Sequence, residues 1–75
     1  MTKDTAIQYP HFAVDHHADA VYITLNDMLD QVHRTEPITP HINADYDAFD
    51  RVIGLEFLSV KVDFGEEFKF RMDAQ

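Results

Sequence analysis

The sequence predicts a mainly β protein, a small antiparallel meander of five or six strands with at most one short helix. Three observations support this fold class. Apolar residues occupy every second position in several segments, which is the pattern of a strand with one buried face. The same segments are rich in Val, Ile, Phe and Tyr, which strands favour. Polar residues and prolines, which are typical of turns, separate the segments.

The first two strands are expected at residues 12–14 and 21–25, where the alternation is clearest. Between them, residues 15–19 are Asp-His-His-Ala-Asp and predict a turn, in which the two Asp side chains accept hydrogen bonds from nearby backbone N–H groups. The pattern of residues 27–32 fits either one short helical turn or a loop that leads into a third strand. We expect the single helix, if one forms, here or at the C-terminus.

Two prolines mark the next segment. Pro37 and Pro40 lie within residues 36–40. Because proline has no N–H to donate, it is confined to sheet edges, strand starts and bulges. We therefore expect an edge strand or a crossing between strands at this point.

A β-hairpin is expected in the middle of the chain. The apolar positions of residues 42–46 face those of residues 53–57 only in the register in which paired residue numbers sum to 99. This register closes at Asp47 and Val52 around the four-residue loop 48–51, a common loop length that usually contains a type I turn.

The pattern changes in the last part of the chain. From Leu58 the apolar set shifts by one position, which indicates a bulge or bend near residues 57 and 58. Residues 59–75 then alternate again and predict a hairpin across an odd-length loop. A short C-terminal helix, with Phe68 and Met72 one turn apart, is the second alternative.

A hairpin at the C-terminus would carry a large apolar face. Such a face is either an interaction surface or simply the second half of the core. In the first case, the side chains expected to bind a partner are Phe64, Phe68 and Phe70.

Composition excludes several classes of protein. The 75 residues make one domain, and Lys+Arg 6 against Asp+Glu 14 gives a net charge of −8. Binding to nucleic acid depends on basic side chains, so direct binding to DNA or RNA is not expected. No apolar run approaches the roughly 20 residues of a membrane span, and the N-terminus lacks the features of a signal peptide. Together with the absence of cysteine, this favours the cytoplasm.

The length of the chain also favours self-association. A domain of this size buries only about 60% of its unfolded surface, so its core is marginal. We therefore expect a homodimer or a higher homo-oligomer.

Two blocks of the sequence resemble a known family. Residues 14–25 are Val-Asp-His-His-Ala-Asp-Ala-Val-Tyr-Ile-Thr-Leu, and residues 45–58 are Asp-Tyr-Asp-Ala-Phe-Asp-Arg-Val-Ile-Gly-Leu-Glu-Phe-Leu. Together they resemble the small bacterial and phage family called domain of unknown function 2283. The resemblance covers residues 12–58 and leaves residues 59–75 as an extra C-terminal tail of the same domain.

Two positions depart from the family pattern. The family usually has Tyr where this chain has Val14, and Gly in the turn where this chain has Asp50. Asp is one of the few residues besides Gly that tolerate the left-handed region of backbone conformation. We therefore expect the turn to be preserved.

The resemblance implies no established activity. Members of the family often look like the smaller partner of a toxin–antitoxin pair, so it implies an antitoxin-like inhibitor or an assembly subunit of unknown process. A structural homo-oligomer of phage or mobile-element origin is an alternative that it also leaves open.

The hairpin register suggests a candidate binding surface. It places Asp45, Asp47 and Glu56 on the face opposite the apolar residues, as a stripe of carboxylates to which a basic protein partner could bind. The alternative interpretation is a solvated sheet face, in which the two aspartates help to form the turn.

Adjacent histidines suggest a different function. His16 and His17, with Asp15 and Asp19 nearby, could form a weak metal site, and the alternative function is a small metal-binding protein or metal-dependent enzyme. The serine and threonines lie in no recognisable nucleophile motif. The main prediction is therefore a protein-binding module that is not an enzyme and has no cofactor or assigned metal ligand.

Overall fold

The computed structural model describes residues 9–27 and 31–75, and these form a mainly antiparallel β domain. Its elements are β1 (His11–Asp15), β2 (Ala20–Thr24), β3 (Arg34–Thr39), β4 (Ile42–Tyr46), β5 (Val52–Phe57), α1 (Val60–Phe64) and α2 (Phe68–Asp73). The predicted fold class is confirmed, with two short helices where at most one was expected. Of the possible helical turn at 27–32, residues 28–30 lie outside the described residues. Neither described helix has the length or the apolar composition to span a bilayer.

The strand order is β1-β2-β5-β4-β3, and every neighbouring pair is antiparallel. The sheet differs from a simple meander at one place, because β2 pairs with β5 and not with β3. Pro37 explains this difference, since a strand that contains proline is suited to the edge of a sheet. β3 accordingly lies at the edge, and its pairing with β4 is irregular between Pro37 and Thr39.

The predicted register of the β4–β5 hairpin is correct over most of its length. Ile42 pairs with Phe57 and Asp45 pairs with Gly54, and in both pairs the residue numbers sum to 99. A bulge then follows, so that Tyr46 and not Asp47 pairs with Val52. Asp50 in the adjoining turn has a φ of 65°, the left-handed conformation expected for this substitute for glycine.

The sheet has one apolar and one polar face. The apolar face carries Phe12, Val14, Val21, Ile23, Ile42, Ala44, Leu55 and Phe57, as the strand registers require. The most deeply buried apolar residues are Val21, Ala44, Ile53 and Val60. The core therefore lies between the apolar face and the C-terminal segment.

The C-terminal segment is helical, and the predicted hairpin is wrong. β5 ends at Phe57, and Ser59, with a φ of 52°, redirects the chain into α1. The Phe64 ring lies 5.8 Å from Phe57 and stacks on Phe68 at 4.8 Å. Because Phe57 belongs to the apolar face, these ring contacts place the helices over that side of the sheet.

An ion pair and a backbone hydrogen bond attach the two helices to Asp19 in the β1–β2 turn. The Asp19 carboxylate lies 2.6 Å from Lys69 Nζ and accepts a hydrogen bond from the Lys61 N–H at 3.1 Å. The Lys69 hydrogen bond is the main cause that lowers the pKa of Asp19. Lys69 itself is 6% exposed. The prediction of hydrogen bonds to nearby backbone N–H groups is confirmed for Asp15, which accepts from Ala18 at 2.9 Å, whereas Asp19 accepts from the distant Lys61.

Candidate functional site

The face of the sheet opposite the helices carries a hydrogen-bonded group of polar side chains. We call this surface the polar face and define it by Tyr22, Thr35, Asn43, Asp45 and Glu56, which surround Gly54. These residues come from β2, β3, β4 and β5, so the polar face crosses four of the five strands. The described helices do not cover it, because they pack on the apolar side.

Asp45 lies at the centre of the polar face. Its carboxylate accepts hydrogen bonds from the Tyr22 hydroxyl on β2 and from the Thr35 hydroxyl on β3. Burial raises the pKa of Tyr22 well above its usual value, and the hydrogen bond to Asp45 raises it further. Tyr22 therefore remains a neutral donor at neutral pH, and the position of the Asp45 carboxylate is set from both sides.

Gly54 allows this arrangement. The Tyr22 ring crosses β5 directly above Gly54 to reach Asp45 on the next strand. A Cβ at position 54 would lie 2.8 Å from Cζ of Tyr22 and closer still to its hydroxyl oxygen. Any larger residue at position 54 would displace the ring.

A second carboxylate on the polar face is held in a similar way. Glu56 pairs with Asn43 across β4 and β5, and Glu56 Oε1 accepts a hydrogen bond from Asn43 Nδ2 at 3.0 Å. Glu56 is also the cross-strand partner of Tyr22. The two carboxylates of the polar face are thus linked through neighbouring, hydrogen-bonded side chains.

A groove of about 320 Å³ lies beside the polar face. We call it the alanine groove, because small side chains from β1, β2 and the turn between them line it. It is lined by Ala13, Val14, Asp15, Ala18, Ala20, Val21, Tyr22, Glu56 and Leu58. The polar face and the alanine groove share Tyr22 and Glu56 and form one continuous surface.

Asp47 does not belong to this surface, contrary to the predicted stripe and in agreement with the alternative that it helps to form the turn. The bulge after Asp45 moves it into the β4–β5 turn, where its side chain is 3% exposed. Its carboxylate accepts hydrogen bonds from the backbone N–H groups of Arg51 at 3.0 Å and Phe49 at 2.8 Å, and from Arg51 Nε at 2.7 Å. The Arg51 N–H is the main cause that lowers the pKa of Asp47. Asp47 therefore stabilises the turn.

A protein-family model matches residues 11–61, and its description is "protein of unknown function (DUF2283)". The chain belongs to the DUF2283 family. The resemblance found in the sequence is thereby confirmed. The match covers all five strands, and with them the polar face and the alanine groove, whereas α2 lies beyond it. No curated protein and no solved structure matches the chain.

The aromatic residues predicted to bind a partner lie on the other side of this DUF2283 chain. Phe64 is partly exposed and stacks on Phe68, which is half-buried. Phe70 is 65% exposed and its ring centroid lies 5.0 Å from that of His16. The three aromatics and the acidic residues therefore do not form one continuous surface.

The histidines contact the helices of the DUF2283 domain. His16 Nε2 lies 2.7 Å from Asp73 Oδ2 in α2, and His41 Nδ1 lies 2.7 Å from Asp63 Oδ2 in α1. Among residues 9–27 and 31–75, no three His, Asp or Glu side chains are placed to hold a metal ion. In the structure, His16 thus joins the β1–β2 turn to α2.

Sequence reasoning found Asp45 and Glu56 but missed the side chains that position them. The alternation placed Tyr22 and Asn43 opposite the apolar residues of their strands without assigning them a role, and it assigned no position to Thr35. The available signal was Gly54, an isolated glycine inside a strand, which often marks a close approach by another group. Identifying that group as Tyr22 requires the pairing of β2 with β5, which the local pattern does not contain.

Proposed function

We propose that this protein is a non-catalytic protein-binding module whose polar face binds a basic protein. The observation that carries the proposal is the arrangement of Asp45 and Glu56, two carboxylates held by hydrogen bonds on an outward-facing sheet surface. A solvated strand face needs no such positioning, because isolated surface carboxylates are satisfied by water.

Positioned carboxylates favour binding in two ways. Their side chains are already ordered, so less conformational entropy is lost when a partner binds. A carboxylate can accept up to four hydrogen bonds, so Asp45 and Glu56 have further acceptor capacity for lysine or arginine. The net charge of −8 adds a long-range attraction that speeds association with a basic protein.

The proposal is compatible with two biological roles. An antitoxin-like inhibitor would cover a functional surface of a basic protein, whereas an assembly subunit would join it to a larger complex. Both roles need a stable complex and no chemistry from this chain. They differ in whether the partner loses its own activity when bound.

Affinity capture with charge-matched variants tests the proposal. The immobilised chain is compared with Asp45→Asn/Glu56→Gln and with Glu66→Gln/Glu67→Gln in a lysate of the source cells. Glu66 and Glu67 lie between the helices with side chains 79% and 78% exposed, so the two double variants lose equal charge from different surfaces. Thermal melting establishes that each variant is folded.

We expect a basic protein to be enriched by the wild-type chain and by the Glu66/Glu67 variant. Its affinity, measured by calorimetry with the purified partner, should fall at least about tenfold for the Asp45/Glu56 variant. Equal affinity for the two variants would refute the proposal, since it would show that binding does not use the polar face. Enrichment of acidic proteins alone would refute it as well.

A further inference from the structure

The alanine groove is large enough to hold one side chain of a bound protein and lies beside the polar face. Its volume of about 320 Å³ lies at the lower end of the range for ligand sites, which is roughly 300–1,000 Å³. In the strand registers, Ala13 lies opposite Tyr22 and Asp15 lies opposite Ala20. The small residues and the acidic residues therefore face the same side, next to the polar face.

The lining combines an apolar surface with carboxylates. The methyl groups of Ala13, Ala18 and Ala20 and the side chain of Leu58 offer contact to an aliphatic chain. Asp15 and Glu56 contribute negative charge at the same groove. Lysine and arginine match this pattern, because their methylene stems pack on apolar surface while the charged group remains at a polar one.

Each of these carboxylates has acceptor capacity to spare. Asp15 Oδ1 accepts from the Ala18 N–H, and Glu56 Oε1 accepts from Asn43. Within the part of the chain that the structure describes, no group donates to Asp15 Oδ2 or Glu56 Oε2. An apolar or acidic occupant would leave these charges without compensation, whereas an ammonium or guanidinium group would pair with them.

We infer that the alanine groove receives a lysine or arginine side chain of the partner. The inference rests on the proposed function, which it makes more specific: the polar face supplies the surrounding acidic surface, and the alanine groove holds one inserted side chain. Insertion of a single side chain into a pocket is typical of the few residues that contribute most of the affinity at protein interfaces.

Titration with small probes tests the inference without the partner. Nα-acetyl-lysine methylamide and Nα-acetyl-arginine methylamide are added to the ¹⁵N-labelled chain, and the amide signals are followed by NMR. We expect saturable shifts at Ala20, Tyr22 and Glu56. The norleucine analogue, which has the aliphatic stem but no charge, should bind at least about fivefold more weakly.

Two variants separate the groove from the rest of the surface. Ala13 is exposed on β1, so Ala13→Leu narrows the groove with little effect on the core and should weaken both charged probes at least about fivefold. Ala20→Leu is a second variant with the same expected effect. Ala48→Leu, in the exposed β4–β5 turn, is the matched control and should leave binding unchanged.

The outcomes also distinguish this inference from the proposed function. Absence of saturable binding, equal binding of the norleucine analogue, or full binding to Ala13→Leu would each overturn the groove assignment. If Asp45→Asn/Glu56→Gln no longer captures the partner but Ala13→Leu captures it as well as the wild-type chain does, the proposed function stands and only the groove assignment fails. If the probes bind while partner capture is independent of the polar face, the groove stands and the proposed function fails.

Discussion

Replacing Gly54 by alanine tests the crossing of Tyr22 over β5. The new methyl group would occupy space filled by the Tyr22 ring, because a Cβ at position 54 lies 2.8 Å from Cζ. The β5 backbone is fixed by pairing on both sides, so the ring must move away. Its hydroxyl would then no longer donate to Asp45.

The expected loss of stability follows from three contributions. A hydrogen bond to a charged acceptor stabilises by about 1.5 kcal/mol at a partly exposed site. Displacing the ring from the sheet costs about 1 kcal/mol of apolar contact. Alanine recovers about 0.5–1 kcal/mol relative to glycine within a strand. The free energy of unfolding should therefore fall by about 1.5–2 kcal/mol.

A double-mutant cycle measures this effect by urea denaturation. Gly54→Ala is introduced into the wild-type chain and into Tyr22→Ala, in which position 54 is no longer covered by the ring. In the second background the substitution should stabilise by about 0.5–1 kcal/mol, so the coupling energy is about 2.5 kcal/mol. A coupling energy below about 0.5 kcal/mol would refute the crossing of the ring over Gly54.

Three further predictions concern the turns and the helix attachment. Asp47→Asn should lower the melting temperature at about pH 7, and the melting temperature of this variant should fall less in acid than that of the wild-type chain. Because folding lowers the pKa of Asp47, its carboxylate stabilises the fold at pH values above the ordinary pKa of about 3.9. This stabilisation is lost as the pH falls through the folded-state pKa. Unchanged acid melting of this variant would contradict the role of the carboxylate. Lys69→Met should lower the urea midpoint more than Lys61→Met, because only Lys69 is buried against Asp19; equal midpoints would show that the ion pair does not hold α2. Asp50→Val and Asp50→Gly both remove the exposed contact with Arg34, but Asp50→Val should be less stable than Asp50→Gly by about 1 kcal/mol in urea, because valine tolerates a φ of 65° poorly. Similar effects of valine and glycine would contradict the left-handed turn.

The local features of the fold were predictable from the sequence. Alternation of apolar residues determines which faces of β4 and β5 must meet, and this sets the pairing of Ile42 with Phe57. The change of pattern at Leu58 marks the end of β5. Asp50 was expected to adopt the left-handed conformation because of its chemistry, and it does.

Features that depend on distant contacts were not predictable. Residues 68–72 alternate as a strand would, but Lys69 is buried through its pairing with Asp19 in the β1–β2 turn. No pattern within the C-terminal segment indicates that partner, so the hairpin was preferred over the helix. The stripe prediction failed at Asp47 for a related reason, since one extra residue in β5 moves its carboxylate from the strand face into the turn, where the alternative interpretation had placed it.

The position of Pro37 has a consequence for how this domain can extend its sheet. On the edge strand β3, Pro37 has no N–H to donate, and the pairing with β4 is irregular between Pro37 and Thr39. A strand of another molecule would therefore meet an interrupted row of hydrogen-bonding groups at this edge. β1, at the other margin, contains no proline. If molecules paired only through the edge strand β1, each molecule could pair with one other, and the sheet would stop growing at two molecules. Unequal edges of this kind disfavour open-ended fibres.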